Sequence, residues 1–332
     1  MVLRIVFTEQ DKVELEEIDP EPLRLGCVRA RTTTSLMSAG TEGIALHKRF
    51  DEGSWWASYV KYPFLPGYAA IGVVEEVAPD VTKLSVGDRV ASRSKHASEH
   101  VLEAEKCTVV PDDVPTDAAV WFALAKIALV GARVAEYKLG DSVAVVGAGP
   151  IGQMSVRWAA AAGCKSVIAI DTVASRLQHA VHGGASAAVL FPAAEARDSV
   201  LTAGGGALPR VVVDTTGNAS AFASSLGLAA DFGRLVLLGD TGTPENQYLT
   251  SAIVHRLVTV AGAHDSYNRR APGWESDEEM HELFFKLVEA NRFNVEDLIT
   301  HRFSPIDAKA AYELATVSPG DSMGVAFDWS AT

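Results

Sequence analysis

The chain has 332 residues, 48% of them hydrophobic and 21% charged, enough for two domains that each bury a core of their own. Its formal net charge of −13 argues against nucleic acid or an anionic membrane as a partner, and no basic stripe opposes that balance. The opening segment lacks the apolar core and cleavage site of a signal peptide, and no apolar run reaches membrane-spanning length. Cys27, Cys107 and Cys164 are widely spaced with no CxxC, so we expect buried, reduced thiols in a cytoplasmic protein.

Residues 1–124 read as mostly β. Short alternating runs at 3–7, 28–33, 70–77, 88–91 and 100–102, parted by turn signals such as Pro79-Asp80 and Gly87-Asp88, suggest a compact barrel-like domain. A long irregular stretch from Leu46 to Pro66 interrupts it and carries Trp55, Trp56, Tyr59, Tyr62 and Phe64. From 125 to 263 the pattern becomes strand-helix alternation, with apolar strands at 143–146, 166–170, 187–190, 210–214, 234–238 and 258–261. That is the pattern of a doubly wound parallel sheet of about six strands. Residues 264–332 hold an amphipathic helix over 277–290, a second over 306–315 and a closing strand at 324–329, and we expect this tail to rejoin the first domain.

The most informative stretch joins the first two of those parallel strands. The run 143–146 ends in Gly147-Ala148-Gly149-Pro150-Ile151-Gly152, and a helix-compatible segment follows. Gly147 permits the tight turn, Gly149 lets the backbone approach a pyrophosphate, and Gly152 allows close packing of helix on strand. Pro150 suits a first helical turn, with Ile151 behind it, and the helix N-terminus favours phosphate. The next strand ends in Asp171, whose carboxylate can accept both adenosine ribose hydroxyls and would repel a 2′-phosphate. Arg176 can either welcome that phosphate or lie along the ribose; with Asp171 in front of it, the reading is NAD(H).

Together with this turn, Gly40-Thr41-Glu42, Pro66-Gly67-Tyr68, Val86-Gly-Asp-Arg-Val90, Leu139-Gly140-Asp141, Asp214-Thr215-Thr216-Gly217 and Gly233-Arg-Leu-Val-Leu-Leu-Gly239 resemble the medium-chain dehydrogenase/reductase family, across essentially the whole chain. The resemblance implies a GroES-like catalytic domain, a Rossmann domain that uses Thr215 and Gly239 at the cofactor, and a homodimer formed through sheet edges near 258–262. Zinc members typically carry Cys-Gly-Thr-Asp and Gly-His-Glu where this chain has Ala39-Gly40-Thr41-Glu42 and Gly67-Tyr68-Ala69, and their third ligand aligns with Ala123. Ala39, Tyr68 and Ala123 cannot form a zinc site, and the four-cysteine structural lobe is absent too, so no metal is expected. The Ser-x-Gly-Thr-Glu form with Gly-Tyr is similar to a non-zinc branch that includes bacteriochlorophyllide hydroxyethyl dehydrogenase-like proteins.

Without zinc, side chains must steady the charge on oxygen that hydride transfer creates, or carry its proton. Thr41 matches the family's proton-relay hydroxyl, and is equally suited to a turn or helix cap. Tyr68 can donate its phenol, or merely fill the volume of the lost metal. His264 follows the last sheet strand, where it is either a group of near-neutral acidity beside the nicotinamide or a hydrogen-bonded crossover residue. Ile44 breaks the family's relay, His47 is expected to face solvent, and Lys95 and His96 lie near the cleft without assignable roles. Trp55 and Trp56 suggest a stacking wall; were they in a strand, only one of the two would face the pocket. The expected function is a zinc-independent, NAD(H)-dependent oxidoreductase interconverting a secondary alcohol and a ketone on a cyclic or polyhydroxylated small molecule. An enoyl or quinone reductase and a redox-neutral epimerase or cyclase with tightly bound NAD are the alternatives.

Overall fold

The structure is a computed structural model that describes residues 1–266 and 274–330. A parallel sheet runs in the order Ala187–Leu190, Ser166–Asp171, Ser142–Val146, Val211–Asp214, Arg234–Leu237 and Thr259–Gly262. Ser142–Val146 is buried on both sides. Val143 and Val145 enter one apolar cluster with Leu124 and Ala128 of helix Phe122–Ala135, while Ala144 and Val146 enter another with Phe222 and Leu226. Alternation of apolar residues on both faces makes this strand the centre of a doubly wound sheet. Strand order reverses on either side of it, which opens a crevice at the carboxyl ends.

The second, seven-stranded sheet runs Ile299–Phe303, Gly324–Asp328, Cys27–Leu36, Ala70–Val77, Arg89–Ser92 and Thr108–Val109, with Glu99–Glu103 paired to Cys27–Leu36. The α/β architecture expected from the sequence is therefore present. Its β-rich half also contains strands not foreseen. Lys12–Ile18 pairs with Val2–Glu9 in a separate hairpin, and its run of lysine and glutamates hides the alternation of Val13 and Leu15. From the tail, Ile299–Phe303 and Gly324–Asp328 join the seven-stranded sheet, whereas helix Asp277–Glu289 lays Met280 and Phe284 into the cluster around Phe122–Ala135.

The stretch 46–66 is less irregular than expected, because Trp55–Tyr59 forms a short helix capped by Ser54, whose hydroxyl accepts the Ala57 N–H. His47 does not face solvent freely. It is held between Asp11 at 2.6 Å and the Thr316 hydroxyl at 2.7 Å, because the C-terminal helix Ala308–Val317 packs against Ala39–His47. Cys27 and Cys107 are buried and free as expected, but Cys164, just past helix Pro150–Ala161, is only half-buried.

One polar cluster lies wholly inside the β-rich half. Glu42, in the first turn of Ala39–His47, accepts the Ser38 N–H at 2.8 Å and the Tyr312 hydroxyl at 2.5 Å. His96 Nε2 lies 3.1 Å from the same carboxylate and its Nδ1 is 2.8 Å from the Ser35 hydroxyl, which also accepts the Trp329 indole N–H. Burial by itself would raise the Glu42 carboxyl; the His96 charge and hydrogen bond, with those of Tyr312 and Ser38, outweigh it and hold the group below its ordinary value. A carboxyl depressed in this way stabilises the fold above its unfolded pKa, and that contribution is lost as pH falls through the folded one. Glu42→Ala should cost about 3–5 kcal/mol in urea unfolding at neutral pH, since it strands His96 and the tyrosine hydroxyl in the core. The gap between wild type and variant should narrow as pH drops below 4.5; a gap that ignores pH would contradict this account.

Candidate active site

A cleft of about 710 Å³ opens between the two sheets. Its parallel-sheet wall comes from loops that leave the carboxyl ends of successive strands: Gly149–Gly152, Thr215–Asn218, Leu238–Thr243 and Ala263–Ser266. The β-rich wall comes from Ser38–Thr41 at the start of helix Ala39–His47, from Tyr68, and from Arg93 just after strand Arg89–Ser92. The two walls touch where the Asp51 N–H donates to the Gly242 carbonyl at 2.8 Å.

The glycine turn has the geometry that close approach requires. Gly147 has φ +85°, and a Cβ on Gly152 would meet the Gly147 carbonyl oxygen at 1.9 Å, so helix Pro150–Ala161 can reach the strand only with glycine there. At Gly149, by contrast, a Cβ would meet nothing closer than an Arg176 nitrogen at 3.8 Å, which leaves room in front of the helix N-terminus. Thr215 ties the next loop to this turn by donating to the carbonyls of Val146 and Gly147. A Cβ on Gly239 would meet Gly217 N at 2.5 Å, so the strand-end loops pack backbone on backbone.

Beyond the turn, a second cavity of about 470 Å³ is lined by Gly147, Gly149, Asp171, Arg176, Phe191 and Thr216, among others. The Asp171 carboxylate accepts the Ala148 N–H at 2.6 Å and the Val173 N–H at 2.8 Å. Those bonds fix its orientation and leave acceptor capacity for a ligand. Arg176 lies 4.0 Å from Asp171, and its guanidinium also donates to the Pro319 carbonyl. The glycine turn, the open space before the helix N-terminus and the oriented carboxylate together fit a nicotinamide dinucleotide.

Thr41, Tyr68 and His264 all line that larger cleft. The Tyr68 phenol donates to the Ser38 hydroxyl at 2.5 Å. Burial pushes the phenol up to about 12, against the opposing pull of Ser38, Arg93 and Thr41 and with a small further push from Glu42. His264 is partly exposed; its Nδ1 accepts the Ser266 N–H at 3.2 Å, and its ring meets the edge of Trp55 at 6.2 Å. Both tryptophans line the cleft, because a helical turn rather than a strand carries them. Trp56 is buried, whereas Trp55 is 51% exposed and stacks on Tyr59 with ring centroids 4.6 Å apart. His96 does not reach the cleft, being buried against Glu42, and Lys95 extends over the Phe64 ring.

Sequence reasoning missed Ser38, Arg93, Asp265 and Lys126. Arg93 lies 4.8 Å over the Tyr68 ring and pairs with Asp265. Asp265 is held in turn by Lys126, which donates to its backbone carbonyl at 2.9 Å and lies 3.4 Å from its carboxylate and 2.9 Å from that of Asp277. Lys126 gave the one available signal: a lysine inside the otherwise apolar Phe122–Val130 stretch needs a buried partner.

Comparison with known proteins agrees with this architecture. Residues 35–116 match the alcohol dehydrogenase GroES-like domain and residues 150–276 the zinc-binding dehydrogenase domain. The chain is 27% identical to L-threonine 3-dehydrogenase of Bacillus subtilis (strain 168) over 292 residues, covering 78% of this chain and 81% of that protein. It is also 27% identical to sorbitol dehydrogenase of Rattus norvegicus over 315 residues, 84% of each chain. A short chain alcohol dehydrogenase of Escherichia coli CFT073, solved with its cofactor NADH, superposes with a TM-score of 0.81 at 19% identity, over 98% of this chain and 99% of that one. Both domains that make up a zinc-binding dehydrogenase are thus matched in this chain, the GroES-like one over 35–116 ahead of the Rossmann-type one over 150–276.

Proposed function

We propose that this chain is a NAD(H)-dependent oxidoreductase that interconverts a secondary alcohol and a ketone without catalytic zinc, on a cyclic or polyhydroxylated small molecule. The observation that carries this reading is the Tyr68 phenol, set in the cleft between the Ser38 hydroxyl and the Arg93 guanidinium. Bound dinucleotide supplies the hydride acceptor or donor; the chain's own task is the proton on oxygen. In reduction the phenol gives its proton to the forming alkoxide, and in the reverse direction the tyrosinate takes it from the alcohol. Burial disfavours the tyrosinate, and hydrogen bonding from Ser38 and Thr41 opposes that push in part; the 2.5 Å contact with Ser38 is the geometry that supports Tyr68 as the carrier.

The side chains around the phenol do not fit zinc. Ser38 and Thr41 offer hydroxyls, Ala39 a methyl and Arg93 a guanidinium that would repel a dication, while the Asp265 carboxylate in the same cleft is already held by Arg93 and Lys126. The carboxylate of Asp171 at the second cavity favours NAD over NADP through repulsion of a 2′-phosphate. Trp55, stacked on Tyr59 at the cleft wall, offers a flat apolar face to a ring-shaped substrate. A homodimer through the exposed edge of Thr259–Gly262, with Val254, Leu257 and Phe232 exposed nearby, and a cytoplasmic location complete the reading.

Purified protein incubated with NAD or NADP and a panel of sorbitol, L-threonine and 2,3-butanediol should form NADH in preference to NADPH, and treatment with a chelator should leave the rate unchanged. Asp171→Ser should narrow the cofactor preference; a preference unmoved by this change, or activity lost with the metal, would refute the reading. Tyr68→Phe should lower kcat by about 10²–10⁴-fold while leaving NADH binding, followed by fluorescence, near the wild-type value. A fully active Tyr68→Phe enzyme would remove Tyr68 from the chemistry.

A further inference from the structure

We propose that Arg93, held over the Tyr68 ring by Asp265 and through it by Lys126, is a positioning residue whose fixed charge stabilises the Tyr68 anion that proton transfer creates. The inference rests on the reading of Tyr68 as proton carrier. It identifies a source of positive charge beside a phenol whose hydrogen-bonding neighbours, Ser38 and Thr41, are neutral hydroxyls.

The geometry fixes the cation in place. The guanidinium lies 4.8 Å from the ring centroid and is anchored by the Asp265 carboxylate. That carboxylate does not cancel Arg93 outright, because Lys126 shares it at 3.4 Å and is itself almost fully buried. Asp277, 2.9 Å from Lys126, balances the ammonium at the end remote from Tyr68. Charge therefore alternates along the chain Asp277, Lys126, Asp265, Arg93, with the positive end against the phenol. A cation at this range favours the anionic form of the ring over the neutral one, and more strongly at a buried phenol than in bulk solvent.

Other charged groups act on the same cluster from the elements around it. Glu42 disfavours the tyrosinate but is matched by buried His96. Lys95 and Tyr59 feel Arg93 from the β-rich side, and His264 and His281 face the Asp265–Lys126 end. Among these, the groups acting directly on the Tyr68 phenol are Arg93 and Glu42, and of the two the Arg93 effect is the larger. The alternating chain also joins four parts of the sequence: a loop of the β-rich half, the helix under the parallel sheet, the loop after its last strand and the start of helix Asp277–Glu289.

Arg93→Met and Arg93→Lys, compared with Tyr68→Phe, test the assignment. Two readouts apply: alkaline titration of tyrosinate absorbance, taken as wild type minus Tyr68→Phe, and kcat with NAD and the alcohol of the panel above that turns over. Arg93→Met should move the Tyr68 titration to higher pH and lower kcat at least about tenfold, with NADH affinity unchanged; Arg93→Lys should restore most of both. If Tyr68→Phe is inactive while Arg93→Met matches wild type in titration and kcat, the role given to Arg93 is wrong. If the titration moves with Arg93 while Tyr68→Phe turns over normally, the charge coupling stands and the proton-carrier reading falls. Should Arg93→Met fail to fold, a titration in Arg93→Lys displaced as far as a neutral side chain would displace it overturns the proposal, and a near-native one supports it.

Discussion

The ammonium of Lys126 has no route to water, and the molecule is built around that constraint. A buried lysine requires anionic partners, and here they arrive from two later segments of the chain, Asp265 and Asp277. Meeting that demand pins the loop after the last parallel strand against the helix that underlies the sheet. The same loop carries His264 into the cleft and places Asp265 where it can grip Arg93 from the opposite wall. The two halves of the chain are thus joined by ion pairs in the cleft between the two sheets.

The parallel-sheet half was legible in the sequence because its constraints are local. A strand buried on both faces must be a continuous apolar run, a turn that lets a helix approach a carbonyl within Cβ distance must be glycine, and a carboxylate must close the following strand. Gly147, Gly152 and Asp171 each satisfy a requirement set by residues close by. The β-rich half was harder to read. Lys12–Ile18 is a strand because Val2–Glu9 pairs with it, in spite of a charged composition that hides its alternation. Trp55–Tyr59 is a helix because a serine caps it, a signal small enough to be lost among so many aromatic residues.

At the site, position in the chain indicated Thr41, Tyr68 and His264, and all three line one cleft. It could not indicate Arg93, whose importance lies entirely in a ring 25 residues earlier in sequence and a carboxylate 172 residues later. Long-range electrostatic pairing leaves no periodic trace. His47 and His96 make the complementary point: both are histidines at the helix Ala39–His47, and both are occupied with holding that helix to its surroundings, through Thr316 and Glu42 respectively.

The helix that bears Trp55 is only five residues long, opens on its own serine cap and is anchored to the core through buried Trp56. The plate formed by Trp55 and Tyr59 stands on that insert, whereas the hydroxyls and cation of the floor are rooted in the seven-stranded sheet and the loops at its strand ends. The aromatic plate and the polar floor of the cleft therefore belong to separable parts of the scaffold. On the proposed function, exchange of that turn would change which rings are admitted while the floor stays rooted in the sheet.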